Sequence, residues 1–467
     1  MSVPNTHYGS ALSDLLKGSK KLWFIGIGGV HMASMALWAA HRGFTVAGSD
    51  RAAGVGTAQL CDAGISVYFG HEAPRVVGYD MVIYTLAIAP DNPEYTAAKA
   101  LGIPAVSRAD FLNFLMREHQ NRIAVAGSHG KSTVTAMLAE IFLAAGRDPT
   151  VFCGAPLCKK GRSVLEGKGK DFIFEACEYQ NSFHCFNPTL GVILNAELDH
   201  VDFFDSDDAL EHAFADFAKR CDRMLVNAED DGALRAAEKS GTPYVSFGIK
   251  KGDFSTRSGA FLHGKGSFCV NLPDGRLSPE IVLRVPGAHN VANAVAAFAA
   301  ASLCGIAPDV IAAGLSAFGG AGRRMEYRGM IRGARLFDDY AHHPSEIRAT
   351  LIAARAMMEG RGRLFAIFQS HTYSRTAAFF AELCQALRLA DRVLIAPIYA
   401  ARETDTKGMS AAGLAAGVGE RADAPGDLAQ IAKALLAELV PGDFVVVMGA
   451  GDIDRLFGEF SQKHFTL

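Results

Sequence analysis

No stretch of this 467-residue sequence reaches the roughly 20 uninterrupted apolar residues that a membrane-spanning helix requires. The alanine-rich run from Val291 to Leu303 is too short and carries Asn293, so it reads as a buried helix. Charge of one sign is also lacking. The 46 Lys and Arg face 49 Asp and Glu, for a formal net charge of -3. That balance offers no general attraction for nucleic acid or for an anionic membrane, so neither is expected as a partner. An anionic ligand must then be held by local devices, backbone N–H groups and a few cations. A disulfide framework is absent too. The nine cysteines are odd in number and spread from Cys61 to Cys384. A chain of this length buries its own cores without staples, so they read as free thiols of a reducing compartment. Cys153 and Cys158 are spaced C-x4-C with no matching second pair, which argues against structural zinc. The segment Met1–His7 lacks a charged stretch followed by an apolar run, so a cytoplasmic protein is expected.

The length suggests about three domains. Apolar runs at 21–27 and Phe44–Ala47 flank a helical stretch at His31–His41, a βαβ opening. Further strands are predicted at Ser66–Phe69, Met81–Tyr84 and Ala105–Val106. A new unit starts at Arg122, with strands at Ile123–Ala126, Phe172–Phe174 and Leu190–Leu194, and a hairpin turn at Asp274-Gly275. From Glu326 onward, strands at Leu336–Asp338, Leu364–Phe368, Val393–Ile395 and Phe444–Met448 alternate with alanine-rich helices. The fold class is α/β with mostly parallel sheets, in three domains at about 1–119, 120–325 and 326–467.

Two glycine-rich turns stand between a strand and a helix. Gly26-Ile27-Gly28-Gly29-Val30-His31 lets the backbone approach a diphosphate at a helix N-terminus, and Asp50 ends the next strand where an acid can bind a ribose or a base. His31 occupies the place of the third glycine of G-x-G-x-x-G, so a plain tight turn and a nicotinamide site both remain open at this loop. Gly127-Ser128-His129-Gly130-Lys131-Ser132 is the stronger signal. Its N–H groups can form a nest for phosphate, Lys131 can reach the β- and γ-phosphates, and Ser132 can bind Mg²⁺. Glu175 and His200 end or follow apolar strands that would face this loop, where a carboxylate and an imidazole can hold a metal ion. Asn290 and Asn293 can read adenine edges, although capping of a helix by Asn290 explains that segment too. Asp338-Asp339-Tyr340-Ala341-His342-His343-Pro344 packs two acids and two histidines between a strand and a helix.

Taken in order, these motifs resemble the Mur ligases of bacterial peptidoglycan synthesis. The likeness covers nearly the whole chain. It extends through Asp91-Asn92-Pro93-Glu94, Asn195, Asp199, Arg323-Arg324, Gln369, and His371-Thr372-Tyr373-Ser374-Arg375-Thr376. The resemblance implies a Rossmann-like UDP-binding domain, a central P-loop ATPase domain and a C-terminal Rossmann-like α/β domain. It implies ATP and Mg²⁺ as cofactors, UDP-N-acetylmuramate and L-alanine as substrates, and a monomer or homodimer. Gly28, Gly29, Ser49 and Asp50 would bind the UDP-sugar. Gly127, Ser128, His129, Gly130, Lys131, Ser132, Asn290, Asn293, Arg324 and Asp339 would bind ATP. Ser132, Glu175 and His200 would hold metal. His342, His343 and Arg375 would receive the amino acid, with His343 or His371 as general base. Lys131→Ala is expected to abolish ligation with little effect on folding. Cys177 departs from an aspartate common in the family, and no lysine lies between His200 and Lys219 to be carbamylated. A ligase adding a whole muropeptide to the same sugar nucleotide is the near alternative; a nicotinamide-dependent oxidoreductase and a non-catalytic nucleotide-binding regulator are the distant ones.

Overall fold

A computed structural model describes residues 3–157, 161–262, 264–401, 403–405, 407–460 and 465–466. Cys158 lies outside the described residues; Cys153 is buried and free. Three sheets follow one another along the chain. The first has five parallel strands, Lys21–Ile25, Thr45–Asp50, Ser66–Phe69, Met81–Tyr84 and Ala105–Ser107, in the spatial order 3-2-1-4-5. The order reverses beside the first strand, and ligands of such sheets sit in the crevice at the carboxyl ends there. The turn Gly26–Gly29 leads from that point into the helix Val30–His41.

The second sheet has ten strands. Asn121–Ala126 lies at its centre, flanked in parallel by Leu190–Ile193 and Asp171–Glu175. These strands are buried along nearly their whole length, so they read as unbroken apolar runs. Their shared direction brings the loop after Ala126, Glu175 and Asn195 to one edge. The Asp274-Gly275 turn joins two antiparallel strands, Lys265–Asn271 and Ile281–Pro286, at the far side. The third sheet has seven strands, of which Ala334–Asp339, Leu364–His371, Arg392–Tyr399 and Phe444–Met448 are parallel.

The cores explain how the sheets are joined. One apolar cluster runs from Phe24, Trp38 and Phe111 of the first unit into Phe152, Phe172, Phe174 and Phe214 of the second. The third sheet is covered by two clusters of its own. No helix among the described residues is long and apolar enough to cross a membrane. Phe172 is fully buried and stacks on Phe152 with ring centroids 5.5 Å apart. Phe172→Ala is expected to cost about 3–5 kcal/mol, from lost burial plus the cavity left behind. The urea midpoint measures it, and a loss below about 1 kcal/mol would mean the shared cluster is looser than its burial implies.

Candidate functional site

The turn after Ala126 is shaped from outside itself. Gly130 adopts φ 86° immediately before the helix Lys131–Ala144, and a Cβ there would stand 2.7 Å from Asn293 Oδ1. Only glycine fits such a backbone without strain. Asn195 accepts the His129 N–H at 2.8 Å and donates to the His129 carbonyl at 3.2 Å. Ser128 Oγ donates to the Glu197 carbonyl at 2.6 Å. Lys131 Nζ donates to Glu178 Oε2 at 2.9 Å and Oε1 at 3.2 Å. Glu178 is buried. Burial works against both charges, but each outweighs it for the other: Lys131 is raised and Glu178 lowered from their ordinary values. Glu178 also lies 3.5 Å from His200 Nε2. Burial disfavours the His200 imidazolium, yet hydrogen bonds with Cys177 and Glu178 and the charge of Asp199 hold its pKa up to about 10.

Three cavities surround these elements. A cleft of about 800 Å³ is lined by Lys131, Ser132, Glu175 and His200 on one side and by Arg324, His342, His371 and Arg375 on the other. A pocket of about 240 Å³ behind the loop is lined by His129, Gly130, Asn290, Asn293, Arg324 and Asp339. A third, of about 650 Å³, opens at the first sheet's reversal point beside Gly28, Gly29 and Asp50. There Asp50 Oδ2 accepts the Gly28 N–H at 2.8 Å, tying the turn to the neighbouring strand.

Several residues sit differently from the sequence expectation. Ser49 is fully buried behind the third cavity, its hydroxyl donating to the buried Glu94 at 2.5 Å. Glu94 also accepts Trp23 Nε1, so Ser49 belongs to a structural network and not to the cavity wall. Asn92 caps the helix Pro93–Ala100, which gives the Asp91–Glu94 motif a folding role. Asn290 is not a helix cap: the helix Ala288–Leu303 is capped by Gly287, and Asn290 donates to the Pro286 carbonyl. Both oxygens of the buried Asp339 accept backbone N–H groups, from Met325 at 2.7 Å and Ala341 at 2.8 Å. Ser132, Glu175 and His200 share the cleft, but the ligand atoms that converge, within 4.8 Å of one another, belong to Cys177, Glu178 and His200. Glu175 instead accepts the Gly154 N–H.

The histidines separate clearly. His343 caps the helix Pro344–Met358, its Nδ1 accepting the Ser345 N–H at 3.4 Å. Its ring packs between His129 and Phe379, outside the main cleft. His371 Nδ1 faces Arg375 at 3.1 Å. A guanidinium only donates, so the lone pair of neutral His371 is already occupied. Neither histidine is placed as a free base. His342 is: its Nδ1 meets the Tyr340 carbonyl at 3.0 Å, which fixes the proton there and leaves the lone pair on Nε2. Burial and then Arg375, against an opposing pull from Glu346, push its pKa down to about 4, so it is neutral across the physiological range. Arg375 itself is buried, with Nε and Nη2 on Asp199 at 3.0 and 2.5 Å. Sequence reasoning missed Glu346 and the pairing roles of Glu178 and Asp199; the partners of Glu178, Glu346 and Asp199 lie 47, 217 and 176 residues away, beyond any local pattern.

Comparison with known proteins accords with this arrangement. The model described as Mur ligase family, catalytic domain, matches residues 21–120. The Mur ligase middle domain matches 125–301, and the Mur ligase, glutamate ligase domain matches 323–451. The UDP-N-acetylmuramate–L-alanine ligase of Lachnospira eligens is 40% identical over 443 residues, 93% of this chain and 96% of that protein. Its counterpart in Caldicellulosiruptor bescii is 38% identical over 442 residues, 93% of this chain and 97% of that one. The crystal structure of UDP-N-acetylmuramate–alanine ligase from Thermotoga maritima superposes with a TM-score of 0.81 at 28% identity, covering 95% of this chain and 98% of that one. The murein peptide ligase of Psychrobacter arcticus gives 0.71 at 26% identity, covering 94% and 98%. The chain belongs to the Mur ligase family.

The buried Lys131–Glu178 pair changes one expectation. Removing Lys131 leaves the buried Glu178 carboxylate with His200 alone against its charge, at a cost of up to about 3 kcal/mol. Lys131→Ala is therefore expected to lower the melting temperature as well as activity, and Lys131→Ala with Glu178→Gln to recover the melting temperature alone. Equal melting of Lys131→Ala and the parent would show that the pair is not buried in solution. Glu197 gives a pH test. Burial raises its pKa, but hydrogen bonds from His129 and Ser345 outweigh this and hold it down to about 2. A lowered folded-state pKa means stability that is present above the ordinary carboxylate pKa and lost as the pH falls toward 2. The melting difference between parent and Glu197→Gln should shrink from pH about 6 to about 3, and a difference that grows on acidification contradicts the pairing.

Proposed function

We propose that this chain joins L-alanine to the lactyl carboxylate of UDP-N-acetylmuramate with ATP, in the cytoplasm, giving UDP-N-acetylmuramoyl-L-alanine, ADP and phosphate for peptidoglycan precursors. The observation that carries this reading is one cleft in which the phosphate-loop lysine faces His342, His371 and Arg375 of the third sheet. The likeness to relatives bearing that activity in their names supplies the substrates.

In this reading the sugar nucleotide's diphosphate lies at Gly28 and Gly29, with Asp50 toward uridine. ATP phosphates occupy the Gly127–Ser132 nest, adenine meets Asn293 with Asn290 behind it, and Asp339 receives the ribose. The incoming phosphates compete with Glu178 for the Lys131 ammonium, and Arg324, lining both cavities, bears on the transferring group. Ser132 Oγ and the Glu175 carboxylate are oxygen donors of the kind Mg²⁺ takes, and His200 would add a nitrogen only on giving up the proton it shares with Glu178. Mg²⁺ held there would supply neutralisation of the phosphate charge.

The lactyl carboxylate attacks the γ-phosphorus; a P–O bond forms as the bond to ADP breaks. The neutral amine of L-alanine then attacks the acyl carbon, and the C–O bond to phosphate breaks. His342 Nε2 takes the proton the amine must lose. Asp199 fixes the plane of Arg375. Three of the five guanidinium N–H groups are engaged, one each from Nε, Nη1 and Nη2, which leaves two for the acceptor's carboxylate.

Two measurements test the reading. With UDP-N-acetylmuramate and ATP saturating, kcat/KM for L-alanine should far exceed that for L-alanyl-γ-D-glutamyl-diaminopimelate. Glycine and serine should follow alanine within the ~1–3 kcal/mol that a small pocket resolves. Preference for the tripeptide would move the chain to the muropeptide-adding reaction. Glu175→Gln should raise the Mg²⁺ concentration needed for half-maximal turnover several-fold; superimposable Mg²⁺ titrations would remove Glu175 from the metal.

A further inference from the structure

His129 stands in the phosphate loop, and both nitrogens of its side chain are taken up by carboxylates outside the loop. Its Nδ1 lies 3.1 Å from Glu346 Oε1 and its Nε2 lies 3.1 Å from Glu197 Oε2. Carboxylates only accept, so both ring nitrogens donate and the ring is an imidazolium. Glu197 follows the central sheet's Leu190–Ile193 strand, whereas Glu346 sits in the first turn of the third sheet's Pro344–Met358 helix. Glu197 also accepts the Ser345 hydroxyl from that same helix. The cluster therefore crosses the seam between the second and third sheets, dry on one side and open on the other: the His129 side chain is 15% exposed and that of Glu346 11%, whereas that of Glu197 is 45% exposed.

Each end of the cluster is tied to chemistry. The His129 backbone stands in the loop two residues before Lys131, its N–H and carbonyl both held by the Asn195 side chain. Glu346 Oε2 accepts the His342 N–H at 3.1 Å and thereby fixes the backbone that carries the cleft's one histidine with a free lone pair. Glu346 also lies 3.8 Å from Arg324 Nη1. We propose that the His129 side chain is a positioning residue, a charged clasp that holds the third unit against the phosphate loop and so keeps water from the acyl phosphate until the amine attacks. The electrostatics agree. Burial opposes the His129 charge, but Glu346 and Glu197 outweigh it and hold its pKa up to about 10. A neutral amide side chain can donate in one direction only, so it cannot span both carboxylates. Breaking one member of a buried charge cluster also leaves the others uncompensated.

The clasp is independent of the reaction; its guarding role rests on the ligase reading above. His129→Gln and Glu346→Gln test both parts, with Glu346→Asp as a milder variant that keeps the charge and shortens the reach. In the free proteins, hydrogen exchange should quicken at 127–132 and 342–350 in both neutral variants and less so in Glu346→Asp, while the strand Lys21–Ile25 keeps its protection. During turnover, ADP released per amide formed should be near one for the parent and rise several-fold in both neutral variants. The double variant should be no worse than the worse single one. Unchanged exchange overturns the clasp whatever the reaction. Quickened exchange with a ratio still near one overturns the guarding role, because a merely structural contact would slow both products alike. A parent that forms no amide overturns the ligase reading, and the exchange arm still decides the clasp.

Discussion

Paired charges, more than a shared apolar core, hold the third sheet to the rest of the molecule. Among the described residues, an apolar cluster joins the first and second units, but those beneath the third sheet stay within it. Across the seam run Arg375 to Asp199 and His129 to Glu346, with Ser345 donating to Glu197. Apolar contact is non-directional and tolerates sliding; paired charges in a half-dry seam tolerate little. The seam is thus strong in one register and weak in all others. In the proposed reading that suits a boundary at which substrates must enter from solvent and then be shut in.

The same logic governs the interior of the cleft. Lys131 has Glu178, Arg375 has Asp199, and Arg324 faces Glu346. A buried charge without a partner costs several kcal/mol, about the whole margin by which a domain is stable. The resting site is therefore balanced by the protein's own carboxylates. In the proposed reading an anionic substrate enters by exchange, taking a cation's partner away, so that selectivity for phosphate depends on geometry as much as on charge.

The sequence was legible where function is local. The phosphate loop, the first glycine turn and the strands that carry them are contiguous, and their spacing alone points to anion binding at helix N-termini. The alternation of strands and helices was enough for three α/β sheets. Pairings across the chain were not legible. Nothing near Glu178 says that it will neutralise Lys131, and nothing near Arg375 announces Asp199. Ser49 misled because the segment Gly48-Ser49-Asp50 is read as one motif, whereas alternate residues of a strand face opposite sides. His343 and His371 misled for another reason. Residue type marks a base, but only the hydrogen bond at the other nitrogen tells which lone pair remains.

The way Asn195 and Ser128 brace the phosphate loop has a thermodynamic consequence. The loop's backbone order is established when the central sheet folds, since its bonds run to the segment Asn195–Glu197 and not to a ligand. In the proposed reading nucleotide then meets a preformed nest, and little conformational entropy is lost on docking. In calorimetric terms, association at this loop should carry a small heat-capacity change. Any larger change belongs to movement of the third sheet, where surface is covered or uncovered as the seam opens and shuts.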